Sequence, residues 1–466
     1  MKSSKFDQPT RQIAKYAVDL KSDTLSRSAI ESTVWHLLDS IGCALGAQTS
    51  HSAAVARKIA STATSNAGAS VIGLTTKTTP ELAAFSNTVM IRHLDYNDTG
   101  IGGHPSDMIP SILAVAEAKK SSGQKTIKAI FAAYEVVACI RRAGLYGNSL
   151  RKKHIDQVQS VLGSVVGAGI ILDLEFEQMA NAISLALTPN IPMRVVRTGE
   201  LSDWKGCATA HCSMMAVFAA RLAKEGLTGP EKPFEGVAGL NDLIDIGPLD
   251  LADLGQINNR LSAVESTCFK LYPSEYSSQG PIGNILRLRQ EINPEEIESI
   301  TIELHWAGWQ EIGGGQGDKV EKWNPTTRES ADHSLPYLVA VALADGKITL
   351  DSFTDERISD PRLRPMMKKI NVIESSEMTK EHAGELPKWP SIIEVILHNG
   401  QRIRRHSGIP RGHPLNPLDR SELKGKFMNL GCRSIPKNKA NNFFETIMQL
   451  GELGDINVLT KQFRFD

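Results

Sequence analysis

Two histidines and three aspartates, His93, Asp95, Asp98, His104 and Asp107, fall within the fifteen residues HLDYNDTGIGGHPSD at positions 93–107, with three glycines among them. Imidazoles and carboxylates at this density can move protons on a bound molecule or ligate a metal ion. A plain turn would draw on Ser, Asn and Gly and has no need of five ionisable groups. Zinc sites usually show histidines four apart or paired cysteines. Here one histidine precedes the loop and one follows it, with no repeated spacing. No metal is therefore expected. Proton transfer stands against a capped structural loop.

The flanking text must position these groups. In TPELAAFSNTVMIRHL, Thr79 suits the N-cap and Pro80 the first turn, which predicts a helix to about His93. HPSDMIPSIL predicts the next helix, capped by Ser106 or Asp107. His104 would then stand at a helix N-terminus, where unpaired N–H groups and the dipole favour an anion. Glycines let such a loop approach a ligand closely. The stretch suits a carboxylate held beside a proton-transfer pair, with His104 and Asp95 on a loop and outside the core.

The whole chain narrows the possibilities. Its 466 residues predict two or three domains. With 52 basic and 52 acidic residues it lacks the charge footprint of a nucleic-acid binder or of a basic membrane face. The longest apolar run, SVLGSVVGAGIIL at 160–172, falls short of the roughly 20 residues a spanning helix needs. The start lacks the apolar core of a signal peptide, and Asp7 and Asp19 speak against a mitochondrial presequence. A cytoplasmic location is expected. Cys43, Cys139, Cys207, Cys212, Cys268 and Cys432 form no CxxC pair, so neither a disulfide nor a cluster is expected.

Up to about residue 245 the text is helical. Ile30, Val34, Leu37, Leu38 and Ile41 recur at helical spacing, and Gly46 sits where a C-terminal cap belongs. After about 265 the pattern changes. Ile300, Ile302, Leu304 and Trp306 alternate as in a half-buried strand, and SIIEVILHNGQRIRRH predicts a hairpin around Asn399-Gly400. Between them DHSLPYLVAVALADG is a helix. From NPLDRSELKGKFMNL onward the text is helical again. The expected fold is mainly α with a second α+β domain: a helical unit at 1–264, an α+β lid at 265–408, and helices at 409–466 that return to the first unit.

Several segments resemble the MmgE/PrpD family: LDYNDTGIGGHPSD, RTGELSDWKGCATAHCSMMAVFAARLAKEGLTGP, FKLYPSEYSSQGP, KWNPTTRESADHSLPYLVAVALADG and GHPLNPLDRSELKGKF. Together they cover nearly the whole chain. The resemblance implies a large helical domain built from both chain ends, a smaller lid, a cleft between them, a homodimer, and chemistry without metal or other cofactor. Its substrates are small di- or tricarboxylates. The implied reaction is dehydration of a 2-methylcitrate-like acid. Epimerisation of an iminodisuccinate-like dicarboxylate, cis-aconitate decarboxylation and carboxylate binding without catalysis are the alternatives.

The resemblance also implies roles. His104 is the proton-transfer candidate, Asp95 orients it or acts as base, Thr99 donates a hydrogen bond, and Lys205 binds a substrate carboxylate. Arg194 and Arg197, close by in PMRVVRTGE, read either as carboxylate binders or as a solvated face. His333 opens a lid helix and reads as a cap, an interdomain contact or a catalyst. Lys270, Tyr272 and Tyr276 lie on the domain junction. One departure stands out. Where dehydratases of the family commonly read His-Ser-Gln, this chain has Ser277-Ser278-Gln279, so either a second proton carrier comes from elsewhere, with Tyr276 and His333 as candidates, or the chain runs different chemistry.

Overall fold

The helix starts written into the sequence form as local chemistry dictates. In the computed structural model, which describes residues 5–100, 103–145, 153–197, 201–256, 260–384 and 386–465, the Thr79 hydroxyl accepts from Leu82 N–H and Pro80 opens the helix Pro80–His93. Ser26 caps the helix Arg27–Gly46 and Ser122 caps Gly123–Arg142 in the same way. Gly46 is the last helical residue and not a left-handed cap. Its place is set by packing, since a Cβ there would lie 2.9 Å from Leu430 Cδ2 and 3.0 Å from Leu94 Cδ1.

The helix Trp204–Lys224 packs against Pro80–His93, Gln159–Ile171 and Phe176–Leu187, while Arg420–Gly431 lies against Arg27–Gly46. One apolar core therefore runs from Phe6 to Val264 and resumes at Leu418 to include Phe443, Ile447 and Phe463. The C-terminal helices do return to the first unit. A second core gathers Ile282 to Leu397. It is built on a four-stranded sheet in the order β4 (Ile370–Glu374), β3 (Ile297–Leu304), β5 (Ser391–Leu397) and β6 (Arg402–Ser407). β3 runs parallel to β4 and antiparallel to β5, and β5–β6 is the expected hairpin, with Gly400 at φ 86°. The helices Gln279–Glu291 and Leu335–Asp345 cover this sheet. The fold is mainly α with a smaller α+β part. Among the described residues, no helix is long and apolar enough to cross a membrane. All six cysteines are unpaired, and only Cys432 is exposed.

Three local expectations need correction. Trp306 does not continue the strand: β3 ends at Leu304, and His305 caps a new helix, Trp306–Ile312, by accepting from Gly308 N–H. A two-stranded hairpin, β1 (Thr64–Ser70) with β2 (Lys77–Thr78), interrupts the helical half. Its text, TSNAGAS, lacks the apolar alternation that would have announced it. Ser106 and Asp107 cap no helix. They lie inside a 3-10 turn, Pro105–Met108, that runs straight into the helix Ile109–Lys119.

That turn is held from below. A Cβ at Gly163 would stand 2.1 Å from Met108 Sδ and 3.0 Å from the Ala133 carbonyl oxygen. Gly163→Ala should therefore cost about 1–3 kcal/mol through overpacking, read as a lower urea midpoint. An unchanged midpoint would mean that the two helices part freely at this contact.

Candidate functional site

The helix Pro80–His93 stops because Asp95 takes the left-handed conformation, φ 47°. The chain then turns back beneath itself, with Asp95, Asn97 and Asp98 all at most 1% exposed. This is not a solvated loop. Asp98 Oδ1 accepts from Ser106 N–H at 3.0 Å and from its hydroxyl at 2.5 Å, while Oδ2 accepts from Tyr134 at 2.7 Å and faces His36 Nδ1 at 3.1 Å. Asn97 donates to Ser106 Oγ and Asp107 Oδ1. The groups read as possible helix caps thus brace the loop from within.

The bracing fixes His104. Its Nδ1 lies 2.7 Å from the Asp98 carbonyl oxygen, which can only accept, so Nδ1 carries the proton and Nε2 keeps its lone pair. Burial, with the Arg92 and Lys270 cations, holds its pKa well below the ordinary imidazole value. His104 is neutral at pH 7 and suited to accept a proton. The atom that orients it is the Asp98 carbonyl. Asp95 Oδ1 is 3.8 Å from Nε2, too far for a hydrogen bond.

Asp95 is instead a charge hub. Arg92 donates to its Oδ1, and Lys270 Nζ lies 3.2 Å from Oδ2 and 2.7 Å from its carbonyl oxygen. Burial alone would raise its pKa, but Arg92 and Lys270 hold it well below the usual carboxylate range. A second buried group adjoins it. Lys205 Nζ lies 2.7 Å from Asp332 Oδ1, 2.9 Å from His333 Nδ1 and 3.2 Å from the Glu329 carbonyl oxygen. Burial and Lys205 push His333 down to about 4, so it too is neutral. Asp95, Asp332 and His333 each place one ligand atom within 4.8 Å of the others. Those atoms already face Lys205, Lys270 and Arg92, and a divalent ion there would meet three fixed positive charges.

A cavity of about 380 Å³ opens where the two cores meet. Its wall includes six of the nine predicted site residues: Thr99, His104, Arg194, Arg197, Tyr276 and His333. The other three, Asp95, Lys205 and Lys270, lie behind that wall, each at most 3% exposed. Lys205 is engaged with Asp332, where the sequence suggested a substrate carboxylate. Thr99 is tied to Cys268 by two backbone hydrogen bonds, and its hydroxyl donates to the Gly103 carbonyl. Gly100 and Gly103 take φ 150° and 92° beside it; Ile101 and Gly102 of the same loop lie outside the described residues. Arg197 pairs with Asp156 at 3.2 Å, and Arg194 with Glu311 at 3.1 Å. Neither arginine is a solvated face.

Sequence reasoning missed several wall residues. Arg141, at the end of its helix, donates to the Gly100 carbonyl at 2.6 Å. Glu275 stands one residue before the Tyr276 that was singled out. Glu311 and Asp156 come from separate segments, and His305, His382 and Trp389 form an aromatic face, with the two imidazoles stacked 3.9 Å apart. Only Glu275 has a local signal, as the acid within FKLYPSEYSSQGP. The Tyr276 phenol, 2% exposed, is held well above its ordinary pKa by burial and the neighbouring Cys268 thiol, so it resists giving up its proton.

Comparisons with known proteins agree with this arrangement. Residues 11–250 match the MmgE/PrpD N-terminal domain and residues 272–451 the MmgE/PrpD C-terminal domain. The chain is 28% identical to 2-methylcitrate dehydratase of Escherichia coli (strain K12), over 97% of this chain and 96% of that protein. It is also 28% identical to the mitochondrial 2-methylcitrate dehydratase of Yarrowia lipolytica, over 84% and 78%. Cis-aconitate decarboxylase of Mus musculus is 25% identical over 97% and 92%. With both domains matched in order over most of its length, the chain belongs to the MmgE/PrpD family.

Proposed function

We propose that this protein is a hydro-lyase that removes water from a small, 2-methylcitrate-like tricarboxylate by acid/base chemistry, with no resident metal or other cofactor. One observation carries the reading: two neutral imidazoles, His104 and His333, share a cavity with three guanidinium groups, Arg141, Arg194 and Arg197. Guanidinium forks fit carboxylates, and Arg194 and Arg197 can exchange Glu311 and Asp156 for those of a substrate. A neutral imidazole is the form that takes a proton from carbon. The cavity volume suits a small acid. Asp95, Lys205 and Lys270 act from behind the wall, setting charge and holding His333. The lysines filling the Asp95–Asp332–His333 group support the metal-free reading. The division into 1–264 with 409–466 and a lid at 265–408 belongs to the same proposal, supported by the two separate cores. The homodimer rests on the family resemblance alone.

Epimerisation is the second reading. It is favoured by Ser277, which stands on the cavity wall in the segment where dehydratases of the family commonly carry a histidine. Proton NMR in D₂O, with EDTA-dialysed protein and a panel of di- and tricarboxylates, tests both. Water loss from a hydroxy-tricarboxylate, undiminished by EDTA, is expected. Deuterium exchange without net loss would make the protein an isomerase, release of CO₂ a decarboxylase, and binding without exchange a carboxylate binder. Activity lost on chelation and restored by added metal would overturn the metal-free mechanism.

A further inference from the structure

Dehydration needs an acid as well as a base, and of the four wall histidines His104, His333 and His382 are held below the ordinary imidazole pKa, while His305 Nδ1 accepts from Gly308 N–H. The carbon-bound proton has a destination, but the leaving hydroxyl has no imidazolium to protonate it. We propose that Glu275 is the lid-side proton carrier of this site, donating to the leaving group while His104 takes the proton from carbon. The inference rests on the proton-transfer reading above. Glu275 lies on the cavity wall, with its backbone N–H bonded to the Asp332 carbonyl at 3.0 Å. Its side chain is aimed by Ser277, whose N–H donates to Oε2 at 2.7 Å and whose hydroxyl lies 3.3 Å from Oε1. Ser277, itself on the cavity wall, thus orients an acid two residues earlier.

The surroundings raise the pKa of this carboxyl toward neutrality. Burial, then the Glu311 carboxylate on the helix Trp306–Ile312, raise its pKa to about 7. Lys270 lowers it, Asp95 raises it and the Ser277 N–H lowers it, all by less than burial. Two titratable groups with opposed environments, here a carboxyl raised by burial and an imidazole lowered by it, are a recurring way to obtain an acid and a base in one site. The step balances without redox change. The C–H electrons form the new double bond, the proton goes to His104 Nε2, and the C–O bond breaks toward oxygen. The Glu275 proton completes the departing water.

Glu275→Gln keeps an oxygen acceptor for Ser277 N–H and removes the acidic proton, and Glu275→Asp keeps that proton on a shorter arm. With the acid identified by the panel as substrate, Glu275→Gln should lower kcat about 100-fold or more with KM little changed. The residual activity should lack the basic limb near pH 7, while Glu275→Asp regains part of the rate and the limb. Carbon-13 NMR of protein labelled at glutamate carboxyls needs no substrate. One signal should titrate near 7 in the wild type and vanish in Glu275→Gln. Wild-type kcat and an unchanged basic limb in Glu275→Gln would overturn the proposal, as would the absence of such a signal. If the wild type neither converts nor exchanges any acid, the hydro-lyase reading fails, and the carbon-13 titration alone decides for or against Glu275.

Discussion

Asp95→Asn is expected to destabilise the protein by about 3–5 kcal/mol, the cost of removing one partner from a buried ion pair. The side chain faces Arg92 and Lys270 with almost no solvent access. An amide would leave Lys270 without its ion-pair partner and Arg92 with only Asp107, 3.7 Å from its Nε. Asparagine is the informative replacement because it accepts the left-handed backbone at this position nearly as well as aspartate, whereas alanine would add backbone strain. The difference from wild type should depend on pH. The carboxyl is held well below its unfolded value of about 3.9. Its contribution is therefore fully present above that value and is lost as pH falls through the depressed folded value. Urea midpoints at neutral and acidic pH measure this. A neutral-pH difference below about 1 kcal/mol, the size of an exposed pair, would remove Asp95 from its central place. Turnover in this variant must be read beside its stability, because the residue is core and not loop.

Part of this site is legible in the sequence at positions 93–107. Caps, hairpin and alternation are local signals, and Thr79-Pro80, Asn399-Gly400 and Ile300/Ile302 declared themselves within a few residues. The chemical types at positions 93–107 were also plain, and they did lead to the cavity. Charge partners were hidden, because they are tertiary. Lys205 looks like a substrate cation until Asp332, 127 residues away, is found 2.7 Å from its ammonium. Asp95 looks like a loop acid until Lys270, 175 residues away, bonds to its backbone. Arg92 lies inside an apolar helix, where a cation on a buried face three residues before an aspartate announces an internal ion pair. Arg141, Asp156, Glu275 and Glu311 meet only because two cores close on one another.

His104→Ala should reduce kcat by about 10²–10⁴-fold, the usual contribution of a positioned acid/base group, with little loss of stability. The asymmetry with Asp95 follows from their contacts. Asp95 holds two cations, whereas the single hydrogen bond described for the His104 side chain runs from Nδ1 to the Asp98 carbonyl, and its Nε2 edge is on the cavity wall. Losing it leaves one carbonyl to be met by water. The pH profile separates this role from a merely structural one. Because burial, Arg92 and Lys270 depress the imidazole pKa, His104 stays neutral well below pH 6.5. The acid limb of kcat/KM in the wild type should therefore lie below the ordinary histidine range. An acid limb centred near 6.5 would mean that the titrating base is a solvated histidine. Deuterium exchange at the substrate carbon adds a second discrimination. His104→Ala should slow exchange and product formation together, by about the same 10²–10⁴-fold. Glu275→Gln should slow product formation about 100-fold or more and retain exchange, since the proton can still leave carbon and return. If the His104 variant exchanges at the wild-type rate, proton abstraction belongs to another group, with His333 across the same cavity the next to test.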